Sequence, residues 1–387
     1  MNIKSLRLSN SRGIVLATTL SILAALLAMG IAIRVMLRND YRILANLREA
    51  TQSLYYSIAG IEWSKNELAV TPWFPPAPSN QTISFASGSF AITFLSPSAI
   101  GPLTAQITVR SVGAKGNATH VSQARLTKTY DLADAAVGIR GNPARVVLNG
   151  NGIFISGADH DPANQNILAN TKPRYGISTS SQPLQALVIE SVGDPAMIDQ
   201  AGAAPAIAQS DFLSPAMISR FADDLCAAPG ATLHPIPSEG ILTVDNQLWG
   251  NASFPQLHCI DGLSAAGDGV TLAGNVSGVG ILIVRNADLI VNGSFHWEGL
   301  IIITGQEVAL KTVGSSTKEI IGGALINETG APGTNTAILD VQGSLRLLFS
   351  RQALSRSSPL IPSSALADIY PNLPSTISQD YWRTVTP

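Results

Sequence analysis

The most regular pattern of apolar and polar positions lies in the first 70 residues. Three basic residues, Lys4, Arg7 and Arg12, precede 20 residues without a charge, from Ile14 to Ile33. At a rise of about 1.5 Å per residue, a helix of this length spans about 30 Å, which is the thickness of a membrane's hydrocarbon core. Because short basic flanks stay on the cytoplasmic side, we expect the N-terminus inside and the bulk of the chain outside.

An amphipathic pattern after the apolar run predicts that the same helix continues. Proline is absent from residues 14–70 and frequent in residues 71–78, so we predict one helix over 14–70, about 80 Å long. Apolar residues at helical spacings of three, four and seven form a seam that we expect to pack against other helices. These seam residues are Leu44, Leu47, Leu54, Ile58, Ile61 and Leu68.

A cleaved secretory signal peptide and a simple membrane anchor are the alternatives for this region. A signal peptide has an apolar region of about 7–15 residues that ends in a small-residue cleavage site. Here the run is longer, and no Ala-x-Ala site stands at its end. A simple anchor would not need an amphipathic second half. The pattern therefore favours a helix that leaves the membrane and packs among similar helices.

The remaining chain shows the patterns of β-strands, and the predicted fold class is α+β. Residues 79–134 alternate apolar and polar positions, which predicts an antiparallel meander with one face on the end of the long helix. In residues 135–360, short apolar runs recur beside Asn-Gly and Gly-Ser turns. The runs 281–284 and 300–303 are wholly apolar, which predicts strands that are buried on both faces. We predict a β-helix-like domain of stacked strands there, with a β-sandwich as the alternative.

Two smaller segments complete the predicted organisation. A helical insert is expected at about residues 190–230, where Ser214 and Pro215 are a typical N-cap and first helical residue. Residues 361–387 are expected to form a C-terminal tail.

Composition and cysteine content limit the range of functions that the chain can have. Charged residues make up 13% of the chain, against about 25% in an average soluble domain. The net charge is −2, so the chain has no basic excess for binding nucleic acid. If the chain is exported, Cys226 and Cys259 can pair, closing a loop of about 30 residues; two unrelated buried thiols are the alternative.

The sequence contains little that indicates catalysis. The common signatures for phosphate binding, acyl transfer, zinc proteolysis and dithiol exchange are missing, and the histidines are scattered. Asp159 and Asp161 are weak candidates for calcium ligands, but a calcium site needs more oxygen atoms, so we favour a turn capped by these side chains. We therefore expect no enzyme activity, no catalytic residues and no cofactor.

The N-terminal region resembles that of PilX-type minor pilins of type IV pilus systems. The resemblance covers about residues 10–70 and rests on Arg12-Gly13 before the apolar run and on Tyr56 to Glu62 near the helix end. It implies a basic prepilin leader, residues 1–13, that a prepilin peptidase removes between Gly13 and Ile14.

The same resemblance implies a place and a set of partners in the cell. The chain would be a single-pass protein of the bacterial inner membrane, with its bulk in the periplasm and later on a pilus or the cell surface. Its partners would be other pilins or pseudopilins, contacted through the N-terminal helix, and the prepilin peptidase. Its function would be pilus assembly or initiation, with a β-rich head on display.

One departure from the family pattern affects this expectation. Major pilins have a glutamate at the fifth mature position, and Thr18 occupies that position here. A threonine cannot form the ion pair attributed to that glutamate, so we expect a tip or priming role. Two alternatives remain: a GspK-like pseudopilin of a type II secretion system, and a membrane-anchored β-helical carbohydrate-active enzyme.

Overall fold

One helix of 61 residues, α1 (Asn10–Val70), forms the N-terminal part of the chain. The computed structural model describes residues 10–70, 78–141, 145–150, 152–169, 171–192, 197–199, 205–237, 240–262, 269–330 and 337–385. The helix runs without a break because its sequence holds no proline and only three glycines. The proline-rich segment 71–77, expected to end the helix, lies outside the described residues.

An antiparallel sheet of five strands packs on the C-terminal half of α1. The strand order is β1-β2-β3-β4-β21, so the last strand of the chain pairs with β4 at one edge. We call this sheet the head sheet. Its strands are β1 (Gln81–Phe85), β2 (Gly88–Gly101), β3 (Thr104–Lys115), β4 (Ala118–Tyr130) and β21 (Ser375–Val385).

The larger domain consists of parallel strands that stack in three ladders around one core. Neighbouring strands of each ladder pair in register, and β15, β16 and β18 are long enough to contribute to more than one ladder.

The strands of the three ladders, each in its stacking order, are the following. The first has β12 (Ile241–Asp245), β15 (Gly269–Arg285), β16 (Asp288–Gly305), β17 (Leu310–Val313), β19 (Ala337–Gln342) and β6 (Arg145–Asn149). The second has β13 (Leu248–Trp249), β15, β16, β18 (Lys318–Glu328), β20 (Leu345–Phe349), β7 (Ile153–Ser156) and β9 (Ile198–Asp199). The third has β11 (Ala231–Pro235), β14 (Gln256–Asp261), β15, β16, β18, β5 (Ala135–Gly141), β8 (Tyr175–Thr179) and β10 (Ile207–Gln209).

The chain enters this stack in its middle rather than at an end. From β5 it winds through β6 to β10, crosses to β11 at the opposite end, and returns through β12 to β20. The early strands β5, β6 and β7 thus pair with the late strands β18, β19 and β20, for example at Val137 with Ala324 and at Ile155 with Leu347. We call this pairing the mid-stack junction. It closes the domain through residues that are remote in sequence.

The core of the stack is built from aligned columns of aliphatic side chains. Because parallel strands in register place equivalent residues above one another, each residue buries its neighbour. The corners are narrow: a Cβ on Gly299 would lie 2.1 Å from the carbonyl oxygen of Gly280, at a backbone φ of 133°. Only glycine fits there, which explains the recurrent glycines of the sequence. One column in the first ladder is Leu242, Val270, Leu289, Leu310, Leu339 and Val146.

Among the described residues, four shorter α-helices cover parts of the stack. Helix α2 (Gln182–Ser191) buries Leu184 and Val188 in the core beside β6, β8 and β10. Helix α3 (Pro215–Cys226) is capped by Ser214, whose hydroxyl accepts a hydrogen bond from the Met217 amide. The last two are α4 (Arg351–Ser357), which packs on β15, β16 and β18, and α5 (Ser363–Ala367), which contacts α3.

Helix α3 runs along the third ladder as a strap from β18, in the middle of the stack, to the end at β11. Ser219 lies 3.1 Å from the Thr304 hydroxyl and accepts a hydrogen bond from Asn327 at 3.0 Å. One turn later, Asp223 accepts a hydrogen bond from Arg285 at 2.7 Å. Successive helix turns thus bond to successive strands, because a four-residue rise of about 6 Å is close to the strand spacing of about 4.8 Å.

The architecture confirms the α+β fold class. The stacked strands pair in parallel, which is not the arrangement of an antiparallel β-sandwich. The region expected as a helical insert, about residues 190–230, holds the end of α2 and all of α3. The region expected as a tail, residues 361–387, holds α5 and the head-sheet strand β21.

Candidate functional site

The N-terminal half of α1 is an exposed apolar surface. Residues 14–47 are exposed throughout, and the most apolar window of 18 residues in α1 has a mean hydropathy of 2.4 and holds no buried residue. Large side chains such as Leu26 and Leu27 are 59% and 60% exposed. By length and composition this helix could cross a membrane. We call residues 14–47 the exposed half of α1.

The few polar side chains of this apolar run bond to their own helix. The Thr18 hydroxyl donates to the carbonyl oxygens of Ile14 and Val15, at 3.0 and 2.9 Å. The Thr19 and Ser21 hydroxyls bond backwards in the same way. A hydroxyl satisfied within the helix can enter an apolar environment without losing a hydrogen bond. The exposed half of α1 is therefore compatible with lipid or with other apolar helices.

The C-terminal half of α1 contacts the head sheet through small residues. Ser53, Ser57 and Ser64 are buried, and the Ser57 hydroxyl lies 2.8 Å from the Ser122 hydroxyl. A Cβ on Gly60 would lie 2.0 Å from the Ser111 side-chain oxygen. Small side chains therefore bring helix and sheet backbones close together. The sequence interpretation missed this face because it followed large apolar residues, although the serine and glycine spacings were visible.

Lys128 anchors the end of α1 on the sheet. Its ammonium group donates to the Leu68 carbonyl oxygen at 2.6 Å, and both residues are buried. A positive charge at the C-terminus of a helix interacts favourably with the helix dipole. Burial lowers the pKa of Lys128 to about 8.

The predicted seam residues divide between the two halves of α1. Leu44 and Leu47 are 60% and 61% exposed and belong to the exposed half. Leu54 and Ile58 are half-buried. Ile61 and Leu68 lie in the core between α1 and the head sheet. Ile61 and Leu68 therefore pack on the sheet of their own chain instead of on other helices, because they are buried there. The role of Leu44 and Leu47 in contacts between subunits remains a prediction.

The predicted cleavage site lies near the first described residues. Helix α1 includes Gly13 and Ile14, and residues 1–9 of the predicted leader lie outside the described residues. Cleavage between Gly13 and Ile14 therefore stays a prediction.

The two cysteines form a disulfide in the structure. Cys226, the last residue of α3, is bonded to Cys259 in β14 across 33 residues of sequence. The bond fastens the end of the α3 strap to the stack.

The two candidate calcium ligands have separate partners. The Asp159 carboxylate accepts hydrogen bonds from the backbone and the guanidinium of Arg351, at 2.9 and 3.0 Å. The Asp161 carboxylate accepts hydrogen bonds from the Ala163 amide and the Asn164 side chain, which is the geometry of a capped turn. Among the residues that the structure describes, no group of three or more His, Cys, Asp or Glu side chains could hold a metal ion.

A chain of charged side chains lies on the outer side of the second ladder. His296 bonds to Glu319 at 3.0 Å and lies 3.4 Å from Glu298. Arg346 donates to Glu319 at 3.0 Å, and Arg356 donates to Glu298. Hydrogen bonds to Glu298 and Glu319 raise the pKa of His296 to about 9, so this imidazole is charged at neutral pH. Both carboxylates thus already have cationic partners.

Three rings fill the β11 end of the stack. His234 and His258 lie 3.0 Å apart, nitrogen to nitrogen, and the Trp249 ring stacks on both. Burial, together with the neighbouring His234, lowers the pKa of His258 to about 4. These three residues lie on different strands that the winding of the chain brings together, so no local sequence pattern indicates the cluster. Two uncharged imidazoles packed on an indole are suited to closing the core rather than to acid–base chemistry.

Comparison with known proteins gives little further information. No family model matches the chain, and no curated protein matches it. Among solved structures, the chain is similar to the competence-associated pilin ComZ from Thermus thermophilus, with 13% sequence identity and a TM-score of 0.24. The match covers 87% of this chain and 98% of that chain.

Proposed function

We propose that this chain is a minor pilin of a type IV pilus, of the PilX type that its N-terminal sequence resembles. The observation that carries the proposal is the division of α1 into two halves. Residues 14–33 carry no charge and residues 14–47 are exposed, whereas the later residues of the same helix contact the head sheet. One rigid rod thus joins a surface that needs an apolar environment to a large folded body.

The exposed half of α1 needs different neighbours before and after assembly. In the precursor, lipid would surround it, with the body outside the membrane. In the filament, the helices of other subunits would replace the lipid. Because each large apolar side chain contributes about 1.5–3 kcal/mol when it is removed from water, an exposed helix of this composition would not persist in solution.

Thr18 supports a role in initiation rather than in repeated elongation. Its hydroxyl bonds only to its own helix, through Ile14 and Val15. A subunit without a carboxylate at this position would not make the ion pair that the resemblance assigns to major pilins. We therefore place this subunit at the tip or in a priming complex.

The body would act as a displayed head and not as an enzyme. A surface cluster of ionisable groups lies around His296, where Glu298 and Glu319 are already paired with arginines. Turnover of a polysaccharide by the purified full-length chain would contradict this part of the proposal and would favour the carbohydrate-active alternative.

The decisive experiment is N-terminal sequencing of the membrane form, with and without a prepilin peptidase. We expect the mature chain to begin at Ile14 only when the peptidase is present, and to co-sediment with pilus fibres. The variant Gly13→Val should stay uncleaved. Gly30→Ala is the matched control, since a Cβ there meets nothing within 4 Å and cleavage should be normal.

Two results would contradict the proposal. The first is a native polypeptide that still begins at Met1 and never co-sediments with fibres. The second is co-purification with a type II secretion filament instead of a pilus, which would favour the pseudopilin alternative.

A further inference from the structure

Three arginines follow the apolar run on one side of α1. Arg34, Arg38 and Arg42 are four residues apart, and all three are exposed. Each step of four residues turns about 40° around the helix, so the three side chains share one face. We call these three residues the arginine stripe. Tyr41, which is 72% exposed, lies within the same stretch.

The position of the stripe matches the level of lipid headgroups. Arg34 directly follows Ile33, the last residue of the uncharged run that begins at Ile14. That run spans about 30 Å, and the headgroup layer extends about 5–8 Å beyond the hydrocarbon core. Arg34 would lie in this layer and Arg38 at its outer boundary, and the long side chain of Arg42, about 6 Å further out, would reach back toward it. Tyrosine is enriched at the same depth.

The stripe has no acidic partner within the chain as described. No carboxylate pairs with any of its three guanidinium groups among the described residues. Asp40 is two residues from both Arg38 and Arg42, a separation of about 200° around the helix, so it points away from the stripe.

The charge of the whole chain favours an anionic ligand at this level. Residues 14–48, which remain after the predicted cleavage, carry four basic and one acidic side chain, whereas residues 49–387 carry 17 basic and 25 acidic ones. An anionic surface would therefore attract the helix and repel the body. Guanidinium groups match phosphate in a fixed, two-pronged geometry.

We propose that the arginine stripe binds the phosphate groups of anionic phospholipids in the leaflet that faces the head. Binding would fix the depth of α1 and hold the body clear of the membrane before assembly. This inference rests on the membrane insertion contained in the proposed function. It adds a specific class of lipid to that function.

The test measures lipid selection by the full-length chain in phosphatidylcholine bilayers. Spin-labelled phosphatidylglycerol and spin-labelled phosphatidylcholine are the two probes, and the readout is the ratio of their association constants. We expect a ratio of about 3 to 10 for the natural chain, since each basic residue near the surface contributes attraction that salt weakens. In the variant R34Q/R38Q/R42Q the ratio should fall close to 1, and in R34K/R38K/R42K it should largely persist.

Arg48 provides a matched control on the same helix. It is also exposed, but it lies about 21 Å beyond Arg34 along the axis, which is well outside the headgroup layer. Arg48→Gln should leave the ratio unchanged. A ratio of 1 for the natural chain, or equal losses in R48Q and in the triple glutamine variant, would overturn the inference.

Further readouts separate this inference from the proposed function. If alkaline carbonate extracts the chain from the bilayer, insertion itself fails and both proposals are overturned. If the chain stays inserted but selects no phosphatidylglycerol, only the lipid inference fails. If the triple glutamine variant selects lipid normally but no longer co-sediments with fibres, the stripe contacts an acidic neighbouring subunit, and the lipid inference is wrong.

Discussion

The Cβ position of Gly113 in β3 lies 2.1 Å from the backbone carbonyl oxygen of Ser53 in α1. The contact involves backbone on both sides, so it sets the distance between the long helix and the head sheet. Nearby, the Cβ position of Gly60 is equally close to the Ser111 side chain. The joint between rod and head therefore depends on residues that have almost no side chain.

Gly113→Ala should weaken this joint. The added methyl group has no space, and overpacking of this kind costs about 1–3 kcal/mol. We expect a lower free energy of unfolding in denaturant titrations and faster hydrogen exchange in α1 between Ser53 and Ser64.

Gly230→Ala is the control for Gly113→Ala. This substitution also adds one methyl group, but Gly230 is exposed and a Cβ there would meet nothing within 4 Å. Equal stability of the two variants would show that the helix and sheet are not held at this distance.

The disulfide should contribute to the stability of the stack. It closes a loop across 33 residues of sequence, for which the chain-entropy estimate is about 3–4 kcal/mol. Reduction should lower the free energy of unfolding by about this amount, and the double variant C226A/C259A should be insensitive to reductant. Mass spectrometry under non-reducing conditions checks the pairing, and free thiols at both positions in exported protein would disprove it.

Acid should destabilise the end of the stack that holds His258. Because burial lowers its pKa to about 4 in the folded chain, the unfolded chain binds a proton below about pH 6.5 and the folded chain does not. Stability should therefore fall as the pH drops from about 6.5 to 4, by at most about 3 kcal/mol from this residue.

Urea titrations across this pH range test the His258 prediction. His258→Phe keeps a ring that can stack on Trp249 but does not titrate, so its stability should depend less on pH. If the free energy of unfolding of the natural chain depended on pH no more than that of His258→Phe, His258 would be protonated equally in the folded and unfolded chains, and the prediction would be wrong.

His296 should show the opposite pH dependence. Its folded pKa, raised to about 9 by Glu298 and Glu319, exceeds the unfolded value. Its contribution to stability should be complete below about pH 6.5 and should be lost as the pH rises through about 9. An NMR titration of the imidazole should give a high pKa in the natural chain and a lower one in Glu319→Gln.

Glu190→Gln is the control for the His296 titration. Glu190 is exposed on α2, away from the second ladder, and its removal should leave the imidazole pKa unchanged. A His296 pKa near 6.5 in the natural chain would contradict the hydrogen bonds of His296 with Glu298 and Glu319.

Local patterns predicted the elements of the fold better than their partners. The wholly apolar runs 281–284 and 300–303 were expected to be buried on both faces, and they are neighbours in register, from Ile281 with Leu300 to Val284 with Ile303. By contrast, β21 pairs with β4 across about two thirds of the chain, so its assignment as a tail could not include this pairing. Strand pairing over such distances leaves no local signal.

In the candidate site, too, the local features could be predicted from the sequence and the long-range contacts could not. The exposed half of α1 follows directly from the composition of residues 14–47. The contacts of Ser57 with Ser122 and of His296 with Glu319 depend on elements that are distant in sequence. Spacing along one segment cannot reveal them.

The mid-stack junction has a consequence for the newly made polypeptide. During synthesis β5, β6 and β7 emerge early, but their partners β18, β19 and β20 follow nearly 200 residues later. At about 5–20 residues per second, these early strands wait about 10 to 40 seconds with open edges, a state prone to aggregation. An exported chain of this design would therefore benefit from a holding chaperone until its final third has crossed the membrane.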